Sequence, residues 1–446
     1  MKMDVQILSR ETIKPSSPTP HHLKNFKLSL LDQIMPEFYI PLTLFYPTKI
    51  GHLSPSQTLT GLKKSLADTL TRFYPLAGRI KDSIYVDCND EGVLFSEARV
   101  NCKLSKFLDE IDIGSLNKFL PCDTPFCFGN DFDTIVAVQV TIFDSGAVAI
   151  GTNMLHKFID TTTMCAFLKS WADTTAGSHN EVIYPDFTSA SALFPPRDPL
   201  PGELQSDFRD DNSFLKKPES HVRRFAFDAA AIATLRVKAA TGTVPDPTRI
   251  EALTAFIWKH FILASKAING HATSSMAILA VNLRRRMEPP LPNHCMGNLL
   301  STATAMHNPS ETEVELAELV ETLRETFSNF DSESVNALKG DDGLALISSR
   351  VEEMRNLQHG KVKMNKYRFT SWCNMGLYNM DFGWGKPVWV SHMGDPEDKR
   401  SQQAVIFIER GDGIEAWMFS DEKEVCVLEK DPEFLAYASP NPSIRI

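Results

Sequence analysis

The chain has 446 residues, 43% hydrophobic and 23% charged, with a formal net charge of −10. That length is too great for one simple core, so two domains of roughly 200 residues each are expected. The acidic balance, with no basic group denser than Arg284-Arg285-Arg286, excludes a nucleic-acid role, and no apolar run reaches membrane-spanning length. Taken in chain order, residues 54–73 read as a helix. Ser54 caps it, Pro55 suits its first turn, and Leu59, Leu62, Leu66, Leu70 and Phe73 share one face. Ser83–Cys88 and Val93–Val100 read as a hairpin around Asn89-Asp-Glu-Gly92. Residues 134–143 and 147–155 form a second hairpin about Asp144-Ser-Gly146, and its uncharged second strand is expected to be central in a sheet.

A helix from about Asp160 to Thr174 follows, burying Met164, Phe167, Leu168 and Trp171. The proline-rich stretch 176–220 has no periodicity and reads as a connection between domains. The expected division is a first domain at 1–185, a crossover at 186–220 and a second domain at 221–446. The second half resumes with a strand at 223–227 and a helix at 229–239. A helix from Thr248 to about Ser265 opens with a capping box, Thr248 with Glu251, and a strand follows at 276–283. A second capping box, Ser310 with Glu313, opens a helix through Phe327. Strands at 387–391, 404–409 and 413–419 precede a closing helix at 421–430. Strands and helices mix without strict alternation, and the fold class expected is α/β with mixed sheets.

Eight scattered cysteines form no Cys-x-x-Cys pair; the nearest two are Cys122 and Cys127. Reduced thiols and no metal site are expected. The N-terminal Met-Lys-Met-Asp-Val-Gln has no apolar signal region and the C-terminal Ile-Arg-Ile is no peroxisomal address, so a cytoplasmic protein is expected.

His156 ends the apolar strand and Asp160 opens the next helix. Imidazole is the side chain best suited to moving a proton at neutral pH. Asp160 either orients the ring, as in a hydrolase triad, or simply caps the helix. No Gly-x-Ser-x-Gly elbow accompanies them. A His without a protein nucleophile suits activation of a substrate hydroxyl. Asp381-Phe-Gly-Trp-Gly385 matches no phosphate-binding spacing and reads as a tight turn with a buried Trp384, its carboxylate buried and paired.

His156-x-x-x-Asp160 and Asp381-Phe-Gly-Trp-Gly385, in that order and separation, resemble the two motifs of the BAHD family of plant acyl-CoA-dependent acyltransferases. The resemblance spans nearly the whole chain through Ile13–Pro20, Leu30–Gln33, Phe73–Arg79, Val281–Arg284, Gly297-Asn298 and Ser371-Trp372. It implies two chloramphenicol-acetyltransferase-like domains of mixed sheet and helix joined by a long crossover, with a channel between them. It implies His156 as general base, acting through a tetrahedral intermediate without an acyl-enzyme. Acyl-CoA is the implied co-substrate, with no permanently bound cofactor and no metal. The partners implied are acyl-CoA and a small alcohol, with neither nucleic acid nor membrane, and a monomer is expected.

By the same resemblance Asp160 pairs with Arg284 and supports the loop. Asp381, Gly383, Trp384 and Gly385 are structural. Trp372 either donates to the oxyanion or packs the channel. Tyr39, Phe158 and Thr370 are expected along the acceptor channel. Two departures stand out: Thr161 where many relatives have Gly, and bulky Phe158 and Ile159 inside the motif, expected to reshape the pocket beside His156. The tail at 428–440 resembles the branch acting on alkaloid, terpenoid and volatile alcohols, with acetyl or another short acyl group. An N-acyltransferase acting on an amine and a non-catalytic binding protein are the alternatives.

Overall fold

The computed structural model describes residues 3–47, 54–122, 133–178, 182–204, 220–309, 313–359, 364–395 and 403–445. Two mixed sheets organise them. The first runs in the order Val5–Ile13, Val93–Val100, Val136–Phe143, Val148–Leu155, Tyr39–Tyr46 and Trp389–Ser391. The second runs Leu300–His307, Ser275–Asn282, Asn365–Ser371, Ala404–Arg410, Gly413–Asp421, Ser220–Phe227 and Ser439–Pro440. A small sheet of Asn25–Lys27, Tyr85–Asp87 and Arg79–Lys81 stands apart from both.

The strand Val148–Leu155 explains its own composition. It is buried at all its positions and pairs antiparallel on both sides, with Val136–Phe143 and Tyr39–Tyr46. A strand covered on both faces has no use for alternating polarity. The helices Pro55–Arg72 and Thr161–Ala176 pack together, tied by Trp171 Nε1, which donates to Leu62 O at 3.2 Å and Ser65 Oγ at 3.1 Å. The 3-10 segment Ile113–Phe119 lies against the same strand: a Cβ on Gly151 would sit 1.9 Å from Phe119 O, so the approach requires glycine.

In the second half the helix Arg249–Asn269 carries the expected capping box of Thr248 and Glu251. It packs between Ala229–Ala239, Leu316–Ser328 and Glu422–Leu428. The two halves exchange elements. Trp389–Ser391 pairs with Tyr39–Tyr46 in the first sheet, while the short helix Leu30–Gln33 sends Leu30 and Leu31 into the second core. The crossover stretch is not featureless: it contains the helix Ser189–Leu193 and is fastened by Asp186, whose N–H donates to His294 O and whose carbonyl accepts from Met296 N.

Three local expectations are corrected. Tyr85–Asp87 does not pair with Val93–Val100. It joins Asn25–Lys27 and Arg79–Lys81, while Val93–Val100 runs antiparallel to Val5–Ile13 and parallel to Val136–Phe143. The Asn89–Gly92 turn carries the chain from one sheet to another, and the Gly92 N–H donates to Ala77 O. The helix Leu316–Ser328 has Glu315 at its N-cap without a side-chain bond, and Ser310 lies outside the described residues. Cys88, Cys102, Cys165, Cys295, Cys373 and Cys426 are free thiols, but Cys122 is disulfide-bonded; Cys127 lies outside the described residues. Among the described residues, no helix is long and apolar enough to cross a membrane.

Candidate active site

His156 comes directly after the last residue of the buried strand Val148–Leu155, and its side chain is partly exposed there. Its N–H donates to Phe38 O at 2.7 Å, and its ring meets the Phe38 ring edge-on at 4.8 Å. Asp160 is the N-cap of the helix Thr161–Ala176, accepting from Thr163 N at 2.8 Å. The same carboxylate accepts from Arg284 Nη1 at 2.6 Å and Nη2 at 3.2 Å, and both side chains are fully buried. Arg284 spends its remaining donors on carbonyls: Cys295 O at 3.1 and 2.8 Å, and Gly297 O at 2.9 Å. Asp160 thus has donors on both oxygens and makes no hydrogen bond to His156. Its geometry is that of a fastening between chain segments 124 residues apart.

Among the described residues, the group hydrogen-bonded to the imidazole is Asn298. Its Oδ1 lies 3.1 Å from His156 Nδ1, and its Nδ2 donates to His156 O at 2.8 Å and to Asp32 Oδ1 at 3.0 Å. A carbonyl and a carboxylate can only accept, so these two bonds fix which way the amide points. Its oxygen then faces Nδ1, Nδ1 must carry the proton, and the lone pair is left on Nε2. Burial lowers the His156 pKa below its ordinary value, opposed by its own carbonyl, Asp160 and Asn298. A lowered imidazole pKa means a neutral ring at pH 7. The arrangement is therefore a neutral base with a defined tautomer, held by residues 142 positions away in sequence.

Around this centre the remaining candidates scatter. Tyr39 is buried, its hydroxyl donating to Thr134 O at 2.5 Å. With Glu37, Arg79, Asp133 and Leu155 it lines a cavity of about 300 Å³ next to the residue preceding His156. Thr370 is half-buried in the strand Asn365–Ser371. Trp372, just beyond it, is buried with its ring 5.3 Å from that of His392. Phe158 corrects the expectation of a channel residue. It is 0% exposed and packs on Phe26 at 5.1 Å and Phe187 at 6.5 Å. Ile159 is equally buried, so the bulk inside the motif fills the core rather than the pocket.

The Asp381–Gly385 turn also differs in detail from the reading above. Asp381 is half-buried, and its Oδ1 accepts from Gly383 N at 2.7 Å and Gly385 N at 2.8 Å, so the carboxylate fixes backbone N–H groups of its own turn. Gly383, at φ +93°, could not take a side chain without strain. The buried ring is Phe382, wedged edge-on against Trp171 at 5.0 Å and Tyr46 at 5.8 Å, while Trp384 is half-buried. Tyr46 closes the turn by donating to Met380 O at 2.9 Å. Asn298 and Asp32 were visible in sequence only as parts of supporting runs; nothing local marks them as partners of His156.

Comparison with known proteins adds to this geometry. The model described as "Transferase family" matches residues 3–435. The chain is 46% identical to akuammiline synthase 2 of Alstonia scholaris, over 99% of this chain and 98% of that one. It is 38% identical to epi-neemfruitin B 7-O-acetyltransferase of Melia azedarach, over 99% and 100% of the two chains. The crystal structure of vinorine synthase matches with a TM-score of 0.81 at 34% identity, covering 98% of this chain and 99% of that one.

Proposed function

The chain belongs to the BAHD transferase family, and from that premise we propose an acyl-CoA-dependent O-acyltransferase that acetylates the hydroxyl of an alkaloid or terpenoid, with His156 as general base. The observation that carries the reading is the Nδ1–H tautomer held by Asn298, which leaves the Nε2 lone pair for a substrate proton. In the proposed reaction, Nε2 takes the proton from the acceptor hydroxyl as its oxygen attacks the thioester carbonyl. The tetrahedral intermediate collapses, the C–S bond breaks, and the CoA sulfur leaves with the proton returned from Nε2. The protein forms no covalent bond to the acyl group. A positioned base contributes about 10²–10⁴-fold, and holding two substrates together supplies much of the rest.

Asp160 and Arg284 hold the loop that presents His156, and Asp381 fixes its own turn. Trp372 either donates to the oxyanion or packs the channel, Thr370 lies along the acceptor channel, and Tyr39 stands at the cavity beside the strand end. The division at 185 and 221 separates two halves that meet at His156, since its Asn298 contact spans them. The named acetyltransferase among the relatives supports acetyl as the transferred group.

The test is a mass-spectrometric screen of purified protein with acetyl-CoA against hydroxylated alkaloids and terpenoids, each paired with an amine analogue. The expected product is an O-acetyl ester with stoichiometric release of CoA thiol. Acetylation of the amines alone would make the enzyme an N-acyltransferase and sink the proposal.

A further inference from the structure

One buried carboxylate beside the site is tied more tightly than helix capping needs. Asp32 lies in the short helix Leu30–Gln33, and its Oδ2 alone completes the capping box, accepting from Ser29 N at 3.0 Å and Ser29 Oγ at 2.7 Å. Its Oδ1 is given wholly to Asn298, accepting from the backbone N at 2.7 Å and from Nδ2 at 3.0 Å. The two residues are 266 positions apart. We propose that Asp32 is a positioning residue that acts through Asn298: its grip on the amide keeps the Asn298 oxygen toward His156 and so keeps the Nε2 lone pair free for the acceptor. The inference rests on His156 being the base and adds what sets its tautomer.

The physical argument is one of donors and acceptors. Four donors fill the two carboxylate oxygens, so the ionised form is matched and no proton is left for Asp32 to give. Place a donor at position 32, by protonation or as a carboxamide, and it can turn toward Asn298. The amide then gains by rotating, its Nδ2 faces His156 Nδ1, and the ring proton must move to Nε2. The ring would present an N–H to the acceptor, where a base is required. The bond from Asn298 Nδ2 to His156 O at 2.8 Å opposes this rotation, so the switch is partial.

The charges facing the group are few. Lys157, whose ammonium donates to Gln33 O at 2.8 Å and Met35 O at 2.9 Å, lies within electrostatic reach of Asp32 and Glu37. Asp160, paired with Arg284, also acts electrostatically on His156. Burial pushes the Asp32 pKa up to about 6, against the hydrogen bonds from Ser29 and Asn298. A raised carboxylate pKa means that the ionised, aligned form is lost as pH falls through that value.

The experiment uses full-length protein labelled with ¹⁵N-histidine, with His156→Ala to assign the ring. Tautomer is read from the ring nitrogen shifts at pH 8. Turnover and the KM for acetyl-CoA are measured with the acceptor found by the screen. Wild type is expected to hold the proton on Nδ1. Asp32→Asn is expected to move it toward Nε2 and to lower kcat at least tenfold with KM unchanged within about twofold. Replacing the carboxylate by its amide costs about 10⁴ where it touches the catalytic His directly, and one intervening amide softens that. The acid limb of kcat in wild type is expected to be steeper than one proton, and to fall to one proton in Asp32→Asn. Asn298→Ala, which breaks the same link without touching the capping box, is expected to lose kcat by a similar factor. A folded Asp32→Asn protein that keeps the Nδ1 proton and wild-type kcat would overturn the inference, and so would full turnover by Asn298→Ala. Wild-type turnover by His156→Ala would instead overturn the base assignment, with the tautomer measurement still reporting on Asp32.

Discussion

Replacing Asp160 by Ala removes the counter-charge of a buried guanidinium and the acceptor of hydrogen bonds from Thr163 N, Arg284 Nη1 and Nη2, and Leu299 N. Arg284 keeps the carbonyls of Cys295 and Gly297 but no compensating charge, and its side chain is 0% exposed. Breaking a buried pair from one side costs about 3–5 kcal/mol. The lost N-cap bond, worth about 1 kcal/mol alone, shares the same oxygens and does not simply add. At roughly 2–4 °C per kcal/mol for a unit of this size, the melting midpoint should fall by roughly 6–20 °C. Asp160→Asn separates the two contributions, because Asn caps a helix as well as Asp does but carries no charge. Its midpoint should lie between wild type and Asp160→Ala. The assay is thermal denaturation beside turnover per folded molecule. An Asp160→Ala protein that melts with wild type yet turns over nothing would refute this reasoning and make the carboxylate a catalytic group.

Three further outcomes are expected. Asp381→Ala removes the acceptor of two backbone N–H groups in a half-buried turn, so it should cost about 1–3 kcal/mol while leaving turnover per folded molecule near wild type, checked by urea denaturation and a rate assay. Phe158→Ala should cost about 3–5 kcal/mol as a core truncation without changing which acceptors are used; a shifted acceptor profile at unchanged stability would restore it to the channel. Because the His156 pKa is lowered, the neutral base persists below the ordinary imidazole value near 6.5, so kcat/KM at pH 6.5 should stay above half its plateau.

Much of this architecture is written locally in the chain. The capping box at Thr248, the apolar strand before His156 and the helix after Asp160 each follow from residues within a few positions of one another. What escaped is long-range. Tyr85–Asp87 and Val93–Val100 sit either side of a good turn, so adjacency favours a hairpin, yet each finds its partners elsewhere. The Asp381–Gly385 turn meets the core through Phe382, buried against Trp171 and Tyr46, with half-buried Trp384 stacked on it; nothing local tells which of two aromatics separated by a single residue turns inward. The same holds at the site. His156 could be found from its place at a strand end, and Arg284 from the family resemblance. Asn298 and Asp32 carry no local pattern that links them to an imidazole; only the folded backbone brings segments 142 and 266 residues apart into one chain of hydrogen bonds. Phe158 misled for a related reason: it lies two positions after His156, yet its own ring turns to Phe26 and Phe187.

The central claim is that the Nε2 lone pair of His156 takes the acceptor's proton. Its most direct test is release of CoA thiol from acetyl-CoA with an accepted alcohol, compared between wild type and His156→Ala across pH. The account predicts at least about a 10² loss of kcat in His156→Ala, with an unchanged melting midpoint and no acid limb attributable to an imidazole. A folded His156→Ala protein that releases thiol and forms ester at the wild-type rate would contradict it.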